Sequence, residues 1–383
     1  MVKEETKKRL QKLKDTLKER DLEVALIFSP LNIFYFTGLW IKGALLVTPD
    51  KHLLLVKRPM DLGKGLKTHP FRPLKGFREI PLLLEELSFK RLALEYGAFN
   101  LLEGETIKGY FSDFSVKPLD EILWELRMIK SSREIAYQRR AGQILGRALK
   151  KSLRGFRPGQ REIYSSALLE GNLRRLGHPG YTRSFNNFEL TYGYLLSGKE
   201  GLYPIAYTTG EGGKGVPGFP GGASYKRLKE KEPILIDFSG YYNGYYVDQT
   251  RMASFGRVKD AEPFYRASLE ILETLEKEAV PGRSCAEIFE IALDIVKNWG
   301  FDRYFMYHGE PLAFVGHGVG LQIDEPPVIS PKSKVALKEN MVIALEPKFH
   351  VRELGVIGLE DTFQVTAKGL RRLTTFSRDW IYL

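Results

Sequence analysis

Residues 236–251 read "IDFSGYYNGYYVDQTR" and place two aspartates, Asp237 and Asp248, eleven residues apart around Asn243-Gly244. An Asn-Gly pair between two aromatic runs is the signature of a β-hairpin with a two-residue type I′ turn. Tyr242 then faces Tyr245, and counting outward sets Ser239 opposite Asp248 and Asp237 opposite Thr250. The two aspartates are diagonal neighbours on one face of the ladder. Carboxylates that close, in strands otherwise built from Ile, Phe, Val and Tyr, repel each other and resist burial. They call for a positive group between them. Arg251 is near, but alternation turns it to the face opposite Thr250. A divalent metal is the better candidate, provided the chain supplies further ligands.

A chain of 383 residues exceeds one ordinary core and predicts two domains. With 43% hydrophobic and 27% charged residues it has the composition of a globular protein. The opening "MVKEETKKRLQKLKDTLKERD" carries Leu10, Leu13 and Leu17 at helical spacing on a charged background, an amphipathic surface helix rather than a signal peptide. No apolar run approaches the roughly 18 to 20 residues that cross a bilayer, so no membrane association is expected. The lone cysteine, Cys285, excludes an internal disulfide and suits a reducing cytoplasm. A net charge of +11 admits a nucleic-acid partner, but Lys and Arg are spread along the chain and interleaved with Glu, as in "KRLKEKE". No nucleic-acid partner is therefore expected, and abundant Lys and Glu with few Cys and Met suit a heat-adapted protein.

Residues 1–125 read as a self-contained α/β unit. "EVALIFS", "GALLVT", "HLLLVKR" and "RLALEYG" are its strands, "EIPLLLEELS" a helix, and "SPLNIFYFTG", with Pro30, Asn32 and Gly38, a turn. Residues 126–383 open with a long helix in which Ser131 or Ser132 is the N-cap and Glu134 lies in the first turn. A glycine-dense run, "TTGEGGKGVPGFPGGASYKRL", precedes the hairpin, where glycine allows sharp bends and close backbone approach; it reads as an active-site wall. Further helices follow at "KDAEPFYRASLEILETLEKEAV" and "SCAEIFEIALDIVKNWG", and "NMVIALEPKF" and "GVIGLEDTFQVT" are strands. Strands and helices in mixed order with antiparallel hairpins predict an α+β fold.

Three more residues extend the hairpin aspartates into a candidate site. His317 stands between glycines in "FVGHGVGL", Glu346 follows four apolar residues in "VIALEPK", and Glu360 follows another apolar run in "VIGLEDT". A His in a Gly-rich turn is more often structural, and a Glu at a strand end is usually solvated. Jointly, four carboxylates and an imidazole interrupting apolar strands in one half of the chain suit two divalent ions such as Mn, Co, Fe or Zn. Paired ions that polarise a carbonyl and share a hydroxide imply hydrolysis of an amide-like bond in a peptide or other small-molecule substrate.

These residues resemble the superfamily of prolidase, aminopeptidase P, methionine aminopeptidase and creatinase. "LEVALIFSPLNIFYFTG" is similar to the start of its creatinase-type N-terminal domain, and "RMIKSSREI" to the entry to its pita-bread catalytic domain. The resemblance implies that Asp237, Asp248, His317, Glu346 and Glu360 are metal ligands. It implies that Asp248 and Glu360 help bridge two ions, that Glu346 orients a metal-bound hydroxide as general base, that Thr250 supports them, and that the protein is a homodimer.

The departures are specific. Family members carry further histidines that handle the substrate carboxylate and stabilise the tetrahedral intermediate; here Gly221 or its neighbour, Ala313 and Asp324 stand in those places, and Lys348 replaces the usual Gly of "EPG". Losing such groups removes electrophilic assistance worth orders of magnitude in rate. Asp324 is a candidate partner for a substrate amine. The expected function is a two-metal hydrolase of Xaa-Pro dipeptidase or aminopeptidase type. The alternatives are a non-peptidase amide or amidine hydrolase in the manner of creatinase or ectoine hydrolase, and a binding protein that reuses the fold.

Overall fold

The structure is a computed structural model that describes residues 2–60, 69–186, 188–307 and 311–383. The chain divides into two compact units between Arg127 and Met128, at the end of the helix Asp120–Met128. No helix among the described residues is long and apolar enough to cross a membrane.

The first unit is built on a six-stranded mixed sheet. Its strands are Val24–Ile27 (β1), Lys42–Val47 (β2), His52–Arg58 (β3), Phe71–Pro73 (β4), Arg91–Leu94 (β5) and Ser115–Pro118 (β6), in the order β4-β3-β2-β1-β5-β6. The expected N-terminal helix forms over Val2–Glu19 and buries Leu10, Leu13 and Leu17 on one face. "SPLNIFYFTG" departs from expectation: it is a helix, Pro30–Thr37, not a turn. Pro30 sits at the first helical position, where its missing N–H costs nothing, and Gly38 ends the helix at φ 76° with its N–H on the Phe34 carbonyl. Glu95, 63 residues beyond Asn32, accepts the amides of Phe28 and Ser29 and the Asn32 side chain. Turn-forming residue types were present, but Pro30 and Gly38 serve at the helix ends, and a buried carboxylate far along the chain holds the segment that leads in.

The second unit pairs Thr182–Arg183 (β7) with Glu189–Leu190 (β8) and contains two larger sheets. One joins Gly193–Ser197 (β9), Ile234–Tyr242 (β10) and Tyr245–Ser254 (β11) to the late strand Ile381–Tyr382 (β19), in the order β19-β11-β10-β9. The other contains Gly316–Gly318 (β12), Glu325–Ile329 (β13), Val342–Leu345 (β14), Asp361–Thr366 (β17) and Gly369–Arg372 (β18), in the order β13-β12-β14-β17-β18. Lys348–Val351 (β15) and Gly355–Gly358 (β16) form a separate pair. The helix Ser132–Leu153, started by a Ser131/Glu134 capping box, packs Ala141, Leu145 and Leu149 against Ile236, Phe238 and Val247 of the hairpin. Helices Glu262–Glu278 and Cys285–Trp299 pack Ile271, Leu275, Ile288 and Ala292 against Ile343, Leu345, Phe349 and Phe363.

The hairpin register is the expected one: Asp237 pairs with Thr250, Ser239 with Asp248 and Tyr242 with Tyr245. Asn243 and Gly244 take φ 48° and 98°, as a type I′ turn requires. "VIALEPKF" and "GVIGLEDTFQVT" each differ from expectation in being two strands rather than one. The first breaks at Glu346-Pro347 and the second at Leu359-Glu360, so that Leu345 pairs with Asp361 in one sheet while Lys348 pairs with Gly358 in another. Proline has no N–H for a ladder, which suits it to the break.

Arg251 locks the hairpin to this double break. Fully buried, it donates to Asp361 at 2.7 Å and to the carbonyls of Thr250, Glu360, Phe376 and Ser377. Replacing one partner of such a pair strands the other groups in the core. Arg251→Met is expected to cost about 3–5 kcal/mol, read from denaturant midpoints at constant m-value. A loss below about 1 kcal/mol would show that the latch contributes little.

Candidate active site

The cleft of the second unit lies where the hairpin face meets the breaks after β14 and β16. Asp237, Asp248, His317, Glu346, Lys348 and Glu360 all line it. Each arrives for a local reason. Asp237 and Asp248 share one face of the β10–β11 ladder, while Glu346 and Glu360 stand at the two strand breaks. His317 is on the short strand β12, whose glycines pass so close to their neighbours that a Cβ on Gly316 would lie 2.2 Å from the Ala344 carbonyl oxygen.

Three ligand atoms converge on one point: those of Asp248, His317 and Glu360 all lie within 4.8 Å of one another. His317 Nδ1 faces the Gly318 carbonyl oxygen at 3.2 Å and carries its proton there, which aims Nε2 into the cluster. Nε2 lies 3.4 Å from Glu346 Oε1 and 3.8 Å from Glu360 Oε1. Glu360 Oε1 is buried with no hydrogen-bond partner among the described residues, while Oε2 accepts from Thr250 Oγ1 at 2.9 Å. A ring nitrogen and carboxylate oxygens facing each other need a proton or a cation between them. Burial lowers the imidazole, but the hydrogen bond and charge of Glu346 overcome it, raising the group to about 9. A donor set of one imidazole and carboxylates, with an orphaned buried oxygen among them, fits a divalent ion.

Asp237 and Glu346 turn instead to Lys348. Its ammonium is 2.7 Å from Asp237 Oδ2, 2.9 Å from Glu346 Oε2, 2.6 Å from Glu211 Oε2 and 3.6 Å from Glu360 Oε2, on a side chain only 1% exposed. Burial works to raise the carboxyls of Asp237 and Glu346, but the Lys348 charge together with hydrogen bonds, from Glu211, Lys348 and Thr250 for Asp237 and from His317 and Lys348 for Glu346, outweighs it and holds both below the usual range. Glu211, Asp248 and Glu360 are pushed well above it, by burial first and then by neighbouring carboxylates.

Glu211 is the acidic residue that sequence reading missed. It is the one acid in the glycine run 208–228, and Thr208, Thr209, Gly210 and Glu211 form the part of that run that lines the cleft. Gly210 is needed for closeness, since a Cβ there would stand 2.4 Å from Glu346 Oε2. Gly221 is not a lining residue; it takes φ 105° beside Tyr194. Asp324 lines the cleft and accepts from the Ser184 hydroxyl, the Phe185 amide and the Asn186 side chain, so it anchors the turn after β7. Thr250 supports Glu360 as already described.

Behind the cleft His178 is fully buried. Its Nδ1 accepts from the Gly180 amide, which leaves Nε2–H to donate to Ser239 Oγ at 3.1 Å. Ser239 in turn donates to the Tyr192 carbonyl. Burial, seconded by Arg174, lowers His178 from 6.5 to about 4. As pH falls, the unfolded chain takes up this proton near 6.5 and the folded chain only near 4. Stability present above pH 6.5 is therefore lost across that window, by roughly 3 kcal/mol. His178→Phe is expected to flatten the acid limb of the stability–pH curve between pH 6.5 and 4. An unchanged limb would place the acid sensitivity in other groups.

Carboxylates and an imidazole gathered in a cleft of an α+β unit define the class, a metallohydrolase. Residues 136–367 match the model of metallopeptidase family M24, and residues 9–129 match the creatinase/prolidase N-terminal domain. An Xaa-Pro dipeptidase of Pyrococcus furiosus is 29% identical over 378 residues, covering 97% of this chain and 99% of that one. The prolidase structure from Pyrococcus horikoshii OT3 superposes with a TM-score of 0.82 at 25% identity, over 98% of this chain and 100% of that one. An Xaa-Pro dipeptidase structure from Bacillus anthracis shares the fold, with a TM-score of 0.84 at 23% identity over 99% of this chain and 100% of that one. The chain belongs to metallopeptidase family M24 and carries its catalytic domain behind a creatinase-type N-terminal domain.

Proposed function

We propose that the chain hydrolyses a short peptide or other small amide, in the manner of an Xaa-Pro dipeptidase or aminopeptidase, with a divalent ion held by Asp248, His317 and Glu360 beside Glu346. The observation that carries this reading is the convergence of those three ligand groups next to a carboxylate that Lys348 keeps ionised. A divalent ion of the Mn, Co, Fe or Zn kind would supply Lewis acidity for the carbonyl and a nucleophile at neutral pH. Glu346 is the general base: its Oε2 is fixed by Lys348, and Oε1, on the His317 side, takes a proton from the attacking water and returns it to the leaving amine. Thr250 holds Glu360 in place. Phe188, Leu190, Tyr194, Phe314 and Ile323 supply an apolar wall suited to a proline ring or an aliphatic side chain. The reading includes a homodimer, on the family resemblance, and a reducing compartment, on the single buried cysteine.

The test is turnover of Ala-Pro, Leu-Pro, Met-Pro, Ala-Leu, an Xaa-Pro tripeptide and ectoine by chelator-treated protein resupplied with Mn or Co. Metal-dependent cleavage of at least one peptide is expected, and the cleaved member separates dipeptidase from aminopeptidase. Glu346→Gln is expected to lower kcat by roughly 10²–10⁴. Cleavage of ectoine alone, or silence across the panel, would overturn the peptidase reading.

A further inference from the structure

The five residues that the sequence offers as ligands for two ions do not behave as one set. Asp248, His317 and Glu360 converge on each other, whereas Asp237 and the Oε2 of Glu346 point at the Lys348 ammonium. That ammonium takes two further carboxylates, Glu211 at 2.6 Å and Glu360 at 3.6 Å. Cation and oxygens at these separations leave no room for an ion on the same oxygens. A dication would have to bind within a few ångströms of a like charge, in a setting where screening is weak.

The packing around the lysine is built to keep it there. A Cβ on Gly210 would lie 2.8 Å from Lys348 Cδ and 3.0 Å from Nζ, and one on Gly358 would lie 2.8 Å from Cγ. Backbone without side chains thus lines the stem on both flanks, and the whole residue is 1% exposed, with no route to swing into solvent. Glu211 completes the arrangement from a loop 137 residues earlier in the chain. An ammonium with dedicated acceptors and a channel cut for its stem is a fixed part of the site.

We propose that the Lys348 ammonium fills the second of the two expected ion positions, so that each chain binds one divalent ion, held by Asp248, His317 and Glu360 with Glu346 beside it. The inference rests on the metallohydrolase reading of this cleft, but it concerns ion number and not substrate.

The experiment is metal content by inductively coupled plasma mass spectrometry, after chelator-treated protein is loaded with excess Mn or Co and passed through a desalting column. The wild-type chain should hold one ion, and Lys348→Gly should hold two. Mn-loaded Lys348→Gly should also show the exchange-broadened paramagnetic resonance of a coupled pair, which the wild type lacks. Asp237→Asn, which removes an acceptor of the lysine and not a ligand of the ion, should keep one ion per chain. Two tightly held ions in the wild type, none, or loss of an ion in Asp237→Asn would each overturn the proposal, and the wild-type count decides it even where a variant does not fold. A single ion together with silence across the peptide panel would sink the peptidase reading and leave this inference standing.

Discussion

The second unit is organised around one buried cation. Lys348 stands among Glu211, Asp237, Glu346 and Glu360, with Asp248 close behind. An unpaired ammonium in such a place would cost several kcal/mol in lost hydration, and so would each carboxylate left without it. The ammonium alone cannot offset five acids. Asp237 and Glu346 are held below the usual carboxylate range, while Asp248, Glu360 and even Glu211, 2.6 Å from the ammonium, are driven toward their protonated forms. That residual demand for positive charge is concentrated on the Asp248, His317 and Glu360 side, which is why the cluster reads as a binding site rather than a finished structural network.

The scaffold meets this constraint by bringing three chain segments together where none has a free ladder partner. Glu346 and Glu360 are available because their strands break beside them and continue in another sheet. The hairpin closes against that break through the paired amides and carbonyls of Thr250 and Glu360, through Thr362 on the backbone of Asp248, and through Arg251 on Asp361. A charged side chain at full burial is tolerated because every donor in reach finds an oxygen. The same links that join the sheets set the distances among the acids, so stability and site geometry share their residues.

An ammonium and a metal ion differ in what they offer chemistry. Both bring positive charge, but an ammonium has only hydrogen bonds to give and no open coordination position for a carbonyl oxygen. Lys348 therefore acts on its neighbours: it keeps Glu346 an acceptor and draws Asp237 away from the cluster. This division follows from a single side chain at a position where the resemblance led one to expect glycine.

The sequence by itself determined what depends on neighbours in the chain. Asn243-Gly244 set the hairpin register and so the shared face of Asp237 and Asp248, since a type I′ turn admits one pairing. Ser131 with Glu134 started the long helix, and Leu10, Leu13 and Leu17 announced the buried stripe of the first one. The sequence also marked Lys348 as foreign to its motif, without showing what it does. Only the tertiary structure decided that Pro30–Thr37 is a helix, because Glu95, just after β5, holds the amides of Phe28 and Ser29 that lead into it. Only it placed Glu211 in the cleft and split the expected ligands between the Asp248, His317 and Glu360 cluster and a lysine. Those outcomes turn on oxygens brought within 3 Å of one nitrogen by segments 111 and 137 residues away, and local pattern carries no record of such distances.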